Sequence, residues 1–232
     1  MRSAARRQRS MMLFASEVPV VSALNPYRQI EEVFLAAWKR TQPKQLAALQ
    51  DELRVVVATP EEKMQAVVEQ LGVGESIRAL KVEVKERNAK FFKRRVARVG
   101  RYDLLVGGKI DGRADGKVIE VKNRVSRFMT PLPLYDVAQL QTYLFILRAT
   151  DGELVEHLRN DRAQTKLTKV PWDPAMWDKQ IAPFVVRFGS ALAQFLEDRD
   201  AQVRFLTADE PAVQKEIIRH HWMLPMGDVE SD

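Results

Sequence analysis

The sequence predicts an α/β domain with a helical front end, and three observations predict it. Apolar residues recur at helical spacing up to about residue 89. From Phe91 the period shortens to two, with glycine pairs at the bends. Beyond Pro133 a helical pattern returns, followed by two strand-like runs and further helices. A chain of 232 residues suits a single large domain. It divides into a basic arm over 1–14, a domain over 15–222 and a tail over 223–232. Within the domain the helical front spans 15–89 and the core spans 90–200.

Residues 15–28 read as a short helix ended by Asn25-Pro26, a turn signal. From Ile30, the positions Val33, Phe34, Ala37 and Trp38 share one helical face, and Pro43 stops the helix. Gln45 to Val57 and Glu61 to Leu71 are helical as well. The second opens at Thr59-Pro60, with Glu62 three residues after the cap. Gly72 and Gly74 break the chain before a charged amphipathic helix over 75–88. Phe91 to Val99, Leu104 to Asp111 and Lys117 to Lys122 are strands. Gly107-Gly108, Asp111-Gly112 and Asp115-Gly116 mark a bulge or bend and a tight hairpin turn. A loop holding Pro131 and Pro133 leads to a helix from Tyr135 to Arg148. Strands follow at Leu154 to Arg159 and Thr165 to Val170. Pro174 opens a long helix to Asp198, and a short helix over Pro211 to His221 closes the chain. Trp172 and Trp177 read as core or helix-anchoring residues, and His220-His221-Trp222 as a frayed terminus.

Composition narrows the chemistry. Hydrophobic residues at 46% and charged residues at 29% describe a globular chain, and no apolar run is long enough to span a membrane. The absence of cysteine excludes disulfides, thiolate metal sites and a cysteine nucleophile. With three histidines, catalysis must rest on carboxylates, lysine, hydroxyls or a bound metal. Lys plus Arg is 37 against 31 for Asp plus Glu, a net charge of +6. Arg2, Arg6, Arg7 and Arg9 lead the chain with no acid before Glu17, and Lys85 to Arg101 holds a second basic concentration. Such placement fits a polyanion partner; it equally fits a solvated helix face followed by an exposed strand. An acid-free, arginine-rich start is also the pattern of a mitochondrial presequence.

The most informative stretch is LLVGGKIDGRADGKVIEVKNR, residues 104–124. Asp111 ends one strand, a hairpin turn follows, and Glu120 and Lys122 lie two apart on the next. Residues two apart on a strand share a face, so Glu120 and Lys122 project together while Val121 packs on the other side. The hairpin carries Asp111 alongside. Two carboxylates and an ammonium at a sheet edge suit a hard divalent cation and a phosphate. The same residues also fit a hairpin with a solvated polar face, lysine pairing with glutamate.

GKIDG…VIEVK resembles the PD-(D/E)XK nuclease superfamily, with Asp111, Glu120 and Lys122 in the signature places and Ile110 where the family has proline. YDVAQLQTYLF resembles the family's following helix motif, offering Gln139, Gln141 and Tyr143. FASEVPVVSALNPYR, residues 14–28, is similar to the Ser-Glu segment of the lambda exonuclease and YqaJ-like viral recombinase branch. Arg9 stands seven residues before Ser16, as that branch places its terminal-phosphate arginine. GVGES offers Glu75 at the branch's helical glutamate, one residue closer to its glycine than usual.

The resemblance implies a restriction-endonuclease-like fold, a mixed β-sheet core flanked by helices, and metal-dependent hydrolysis of DNA phosphodiesters. It implies catalytic Asp111, Glu120, Lys122, Gln139 and Gln141. The ligands of Mg²⁺, or of Mn²⁺ in its place, would be Glu75, Asp111, Glu120 and the carbonyl of Val121. Contacts to DNA fall to Arg9, Ser16, Lys93, Arg95, Arg124, Arg127 and Tyr143, backbone contacts with little sequence preference. An exonuclease of recombination, repair or replication is the leading reading. A structure-selective or restriction-like endonuclease, a non-catalytic DNA-binding scaffold and a small-phosphate hydrolase compete with it. The lambda-type relatives form a ring that threads DNA, so the resemblance allows a homo-oligomer or a recombination partner protein, although the sequence shows no interface patch; no membrane is expected from the composition. The address would be intracellular, that of a phage or viral protein in its host, or nuclear or mitochondrial if the leading arginines target it.

Overall fold

Met11 and Leu13 are wholly buried while Arg9 and Ser10 face solvent, so the end of the basic arm is a strand, β1 (Arg9–Phe14). It lies parallel to β3 (Tyr102–Gly108), Met11 beside Leu104 and Leu13 beside Val106. The apolar run Met11 to Phe14 is too short to display a period of two, which is why the sequence reading left it in the arm. The computed structural model describes residues 9–55, 90–159 and 164–231. The helices expected over 61–71 and 75–88, and Glu75 with them, lie outside these residues. Of the expected 15–28 helix, a single turn forms, α1 (Val18–Val21).

Helix α2 (Ile30–Thr41) buries Val33, Phe34, Ala37 and Trp38, the face read from the sequence. Pro43 has no N–H to continue it, and the same residue opens α3 (Pro43–Leu53), where a missing N–H costs nothing. Around α2 the rings of Phe34, Trp38, Phe195 and Phe205 meet mostly edge to face at centroid distances of 4.9–6.3 Å.

Two four-stranded mixed sheets make up the core. In the first, β2 (Phe92–Val99) runs antiparallel to β3, and β8 (Val229–Ser231) pairs with β2, Val229 beside Val99. The expected tail is therefore part of a sheet. A bulge falls between Arg95 and Ala97 of β2 rather than at Gly107-Gly108. Those glycines answer a different need, close approach. A Cβ on Gly107 would lie 2.8 Å from the Phe91 ring, and one on Gly108 would lie 2.9 Å from the Tyr143 ring. Gly108→Ala is therefore expected to displace Tyr143 and lower stability by about 1–3 kcal/mol, read as a drop in the urea midpoint. An unchanged midpoint would show that the ring gives way freely.

The second sheet has the order β4-β5-β6-β7. Between β4 (Gly112–Ala114) and β5 (Lys117–Arg124) lies the two-residue turn Asp115-Gly116, with φ of 49° and 80°. Two successive positive φ values suit the mirror-image turn that matches strand twist. Helix α4 (Leu134–Leu147) connects β5 to its parallel neighbour β6 (Asp151–Leu158), and β7 (Thr165–Pro171) closes the edge. The Arg94 guanidinium donates to the Phe145 carbonyl at 2.7 Å and lies 4.0 Å over its ring, satisfying a carbonyl in the last turn of α4.

The long helix expected from Pro174 is interrupted. A turn over Pro174–Met176 passes into a π-helical turn, Trp177–Ile181, and then into α5 (Ala182–Phe195). Pro183 cannot donate to the carbonyl four residues back, and the wider turn absorbs that gap. Trp177 stacks on Phe145 at 4.0 Å and is buried, the anchoring role expected of it. Asp198 then accepts from the Ala201 amide and starts a helix the sequence reading missed, α6 (Arg199–Leu206). Helix α7 (Pro211–Met223) holds His220 and His221. His221 is buried with its Nδ1 donating to the Ile217 carbonyl at 2.8 Å, so this terminus is packed, not frayed. No helix among the described residues is long and apolar enough to cross a membrane.

Candidate active site

Strand β5 sets the site. Glu120, Lys122 and Arg124 alternate onto one face, and α4 lies across it with Asp136, Gln139 and Tyr143 at helical spacings of three and four. Glu120 is only 4% exposed. Its Oε1 accepts from the Gln139 amide at 2.8 Å and meets Lys122 Nζ at 2.9 Å. Lys122 in turn donates to Gln139 Oε1 at 2.8 Å and lies 3.4 Å from Asp136 Oδ1. The ammonium thus has three oxygen partners within 3.4 Å, and the Gln139 side chain is fixed at both ends.

Asp111 joins from the hairpin. Gly112 pairs with Ile119, so one step further along the register Asp111 stands across from Glu120. Its Oδ2 accepts the Val121 amide at 2.7 Å, and the residue is exposed. Among the described residues, Asp111 Oδ1 and Glu120 Oε2 accept no hydrogen bond. Burial, against the pull of Lys122 and with the Asp111 charge adding to it, pushes the Glu120 carboxyl up to about 7. For Lys122 burial works against the charge, but the carboxylates of Glu120 and Asp136 outweigh it and raise the ammonium above its ordinary value. Lys122 is thus held as an ammonium.

The sequence reading missed a second, adjoining network. Arg124 donates to Asp136 Oδ2 and to Glu156 Oε1, both at 2.7 Å. Glu156 Oε1 also takes the Met129 amide at 3.0 Å. Lys166 donates to the Met129 carbonyl and the Thr130 hydroxyl. Asp136 is therefore shared between Lys122 and Arg124, and it ties the candidate site to the loop before α4. Two signals were present in the sequence. Asp136 lies three residues before Gln139 on one helical face, and the run Leu154 to Leu158 buries Glu156 and His157 in a strand.

Several expected contacts are placed elsewhere. Gln141 faces away from β5: its amide donates to the Pro171 carbonyl at 2.7 Å and its oxygen accepts the Asp173 amide at 2.9 Å. It secures the end of β7. The phenol of Tyr143 is buried and donates to the Lys109 carbonyl at 2.8 Å, steadying the approach to Asp111 rather than meeting solvent. Burial first, with the Glu120 and Asp111 charges, raises its pKa. Arg124 is committed to Asp136 and Glu156 with 13% of its side chain exposed. Arg9 and Ser16 do not share a pocket. Arg9 pairs with Tyr102 at one end of β1, and five strand steps of about 3.3 Å separate it from Phe14. Ser16 is exposed at the other end, next to Ala15, whose amide donates to the Gly107 carbonyl. Lys93, Arg95 and Arg127 are exposed, as their expected role requires, Arg95 lying 3.6 Å from Asp103. Glu17 is buried instead, held by Arg40 at 2.6 Å and by the Phe14 amide at 2.8 Å, where it locks β1 to α2.

Asp111 and Glu120 supply the oxygens that a hard cation would take. Among the described residues no group of three or more Asp, Glu or His side chains is arranged around one point.

No family model matches the sequence, and no curated protein matches it. Solved structures do. The protein SSO0001 is 18% identical with a TM-score of 0.41, over 84% of this chain and 78% of its own. An alkaline exonuclease, LHK-Exo, from Laribacter hongkongensis is 14% identical with a TM-score of 0.40, over 83% of this chain and 94% of its own. A phage-related exonuclease from Haemophilus somnus 129PT is 10% identical with a TM-score of 0.39, over 82% and 96%.

Proposed function

We propose that this protein is a metal-dependent nuclease that hydrolyses phosphodiester bonds in DNA, working from strand ends. The observation that carries the reading is the closed triangle of Glu120, Lys122 and Gln139 with Asp111 beside it. A surface ion pair needs no buried carboxylate and no glutamine clasp. A metal-assisted phosphoryl-transfer site is served by both, because they hold an ammonium and a carboxylate at fixed positions.

Asp111, Glu120 and the Val121 carbonyl would hold Mg²⁺ or Mn²⁺. The donor set is all oxygen, and one oxygen of each carboxylate is unbonded among the described residues, which suits such an ion. Bound there, the cation supplies a Lewis acid for a phosphate oxygen and a water of lowered pKa. Lys122, held as an ammonium, orients the attacking water and stabilises charge gathering on the scissile phosphate. Its 3.4 Å contact with Asp136 is the longest of the three and the one most readily exchanged for substrate. Gln139 keeps Lys122 and Glu120 in register. Lys93, Arg95 and Arg127 follow the DNA backbone, so binding weakens steeply with salt and shows little sequence preference. The preference for ends rests on the resemblance of the segment around Ser16, an exposed residue that follows Phe14 at the end of the sheet where Gly107 and Gly108 lead to Asp111.

A linear 5′-phosphorylated duplex and its covalently closed counterpart, each with Mg²⁺ or EDTA, test this reading. Loss of the linear DNA alone, and only with Mg²⁺, is the expected result. Cutting of the closed circle would make the protein an endonuclease, and binding of both without cleavage would make it a scaffold.

A further inference from the structure

Tyr27 is the most exposed large apolar side chain among the described residues, at 79%. Its position is nonetheless built. The Tyr27 amide donates to Asn25 Oδ1 at 2.9 Å, a local turn that Pro26 stiffens. Its ring meets the Tyr135 ring edge to face, with centroids 5.8 Å apart and planes at 84°. Tyr135 lies in the first turn of α4, directly before Asp136, the residue shared by Lys122 and Arg124. A ring so little covered adds hardly anything to the hydrophobic core. An anchoring role alone would be served by a side chain that buries itself. Phe91, exposed directly before β2, has such a use, since it packs against Phe14. Among the described residues the Tyr27 ring meets no ring but that of Tyr135.

The geometry points to Tyr27 and Tyr135 as a stacking platform for a nucleobase, which takes an unpaired nucleotide of the strand whose phosphate reaches Lys122. This rests on the nuclease reading of the Lys122 site and adds the state of its substrate. Every base has a π-face, so a tyrosine platform accepts any sequence, but only when the base is out of its duplex stack. The substrate class is thus a single-stranded or frayed end.

The test uses the full chain in EDTA, where no cleavage occurs, and a single-stranded oligonucleotide with 2-aminopurine at its 5′ end. Wild type is expected to quench the fluorophore on binding. Tyr27→Ala is expected to lose the quenching and to bind roughly 5- to 100-fold more weakly, the range for one stacked base. Tyr27→Trp should retain both. The exposure of Tyr27 makes misfolding of these variants readily excluded by an unchanged Tm. Equal quenching and affinity for wild type and Tyr27→Ala would overturn the platform, as would absence of binding by wild type. Quenching that depends on Tyr27 in a protein that never cleaves DNA with Mg²⁺ would retain the platform and remove the nuclease reading.

Discussion

On the proposed nuclease reading, Lys122→Ala is expected to lower DNA cleavage by about 10²- to 10⁴-fold, the usual contribution of a positioned catalytic side chain, while DNA affinity stays within a few-fold of wild type. The separation follows from geometry. Lys122 is spent on Glu120, Gln139 and Asp136 inside the fold, whereas Lys93 and Arg127 are exposed cations that the phosphate backbone can reach. The variant should also fold. Removing the ammonium strips Glu120 of the strongest influence holding its pKa down, so its carboxyl takes up a proton rather than remaining a lone buried charge. Asp136 keeps Arg124. Lys122→Arg should not restore activity, since a planar fork cannot address three acceptors around one nitrogen. Single-turnover cleavage and filter binding on the same DNA, with Tm as the folding control, check all three statements. Equal loss of binding and cleavage in Lys122→Ala would return Lys122 to the DNA-binding surface.

What the sequence disclosed about this site was local, and what it withheld depended on packing. Glu120 and Lys122 share a face because strand residues alternate, and Asp115-Gly116 announces the turn that brings Asp111 across. Each of these facts spans a dozen residues at most. The choice between Gln139 and Gln141 was also decidable in principle. Residues two positions apart on a helix are separated by about 200° around its axis, so only one of them can face β5. Which one does so is set by how α4 lies on the sheet. Asp136 and Glu156 went unread for a similar reason, because their partner Arg124 is reached only through α4 and the parallel strand β6. The pairing of Arg9 with Ser16 failed on distance. Seven residues are close in sequence, but an extended strand carries them to opposite ends of a sheet. At the level of fold, β2, β3, β5, β6 and β7 were legible from their period, but β3 ends at Gly108, short of Asp111, and lies in the first sheet, so the hairpin to β5 is made by β4. Strands β1, β4 and β8 were not legible, since each is short and draws its stability from the neighbour it pairs with.

Glu120 links the site to pH, and the sign is fixed by its direction of shift. Its carboxyl is raised from an ordinary 4.5 to about 7 by burial. The folded state therefore holds this proton more tightly than the unfolded chain does. The stability so gained is fully present below about 4.5 and is lost as pH rises through about 7, a contribution of about 3 kcal/mol. In EDTA the Tm should accordingly fall between pH 5 and pH 8, and Glu120→Gln should remove that part of the slope, on the order of 5–10 °C for a chain of this size. A divalent cation competes with the proton for the same carboxylate. Mg²⁺ should thus raise the Tm of wild type more at pH 8 than at pH 6, and should do so less in Asp111→Asn and Glu120→Gln. Thermal unfolding needs no substrate, so it examines the donor set apart from any activity. A Mg²⁺ effect that is equal at both pH values, or equal in the variants, would place the cation somewhere other than Asp111 and Glu120. Loss of the slope in Glu120→Gln with no Mg²⁺ effect in wild type would leave a buried, protonated glutamate clasped by Gln139 and Lys122, a structural pair rather than a metal ligand.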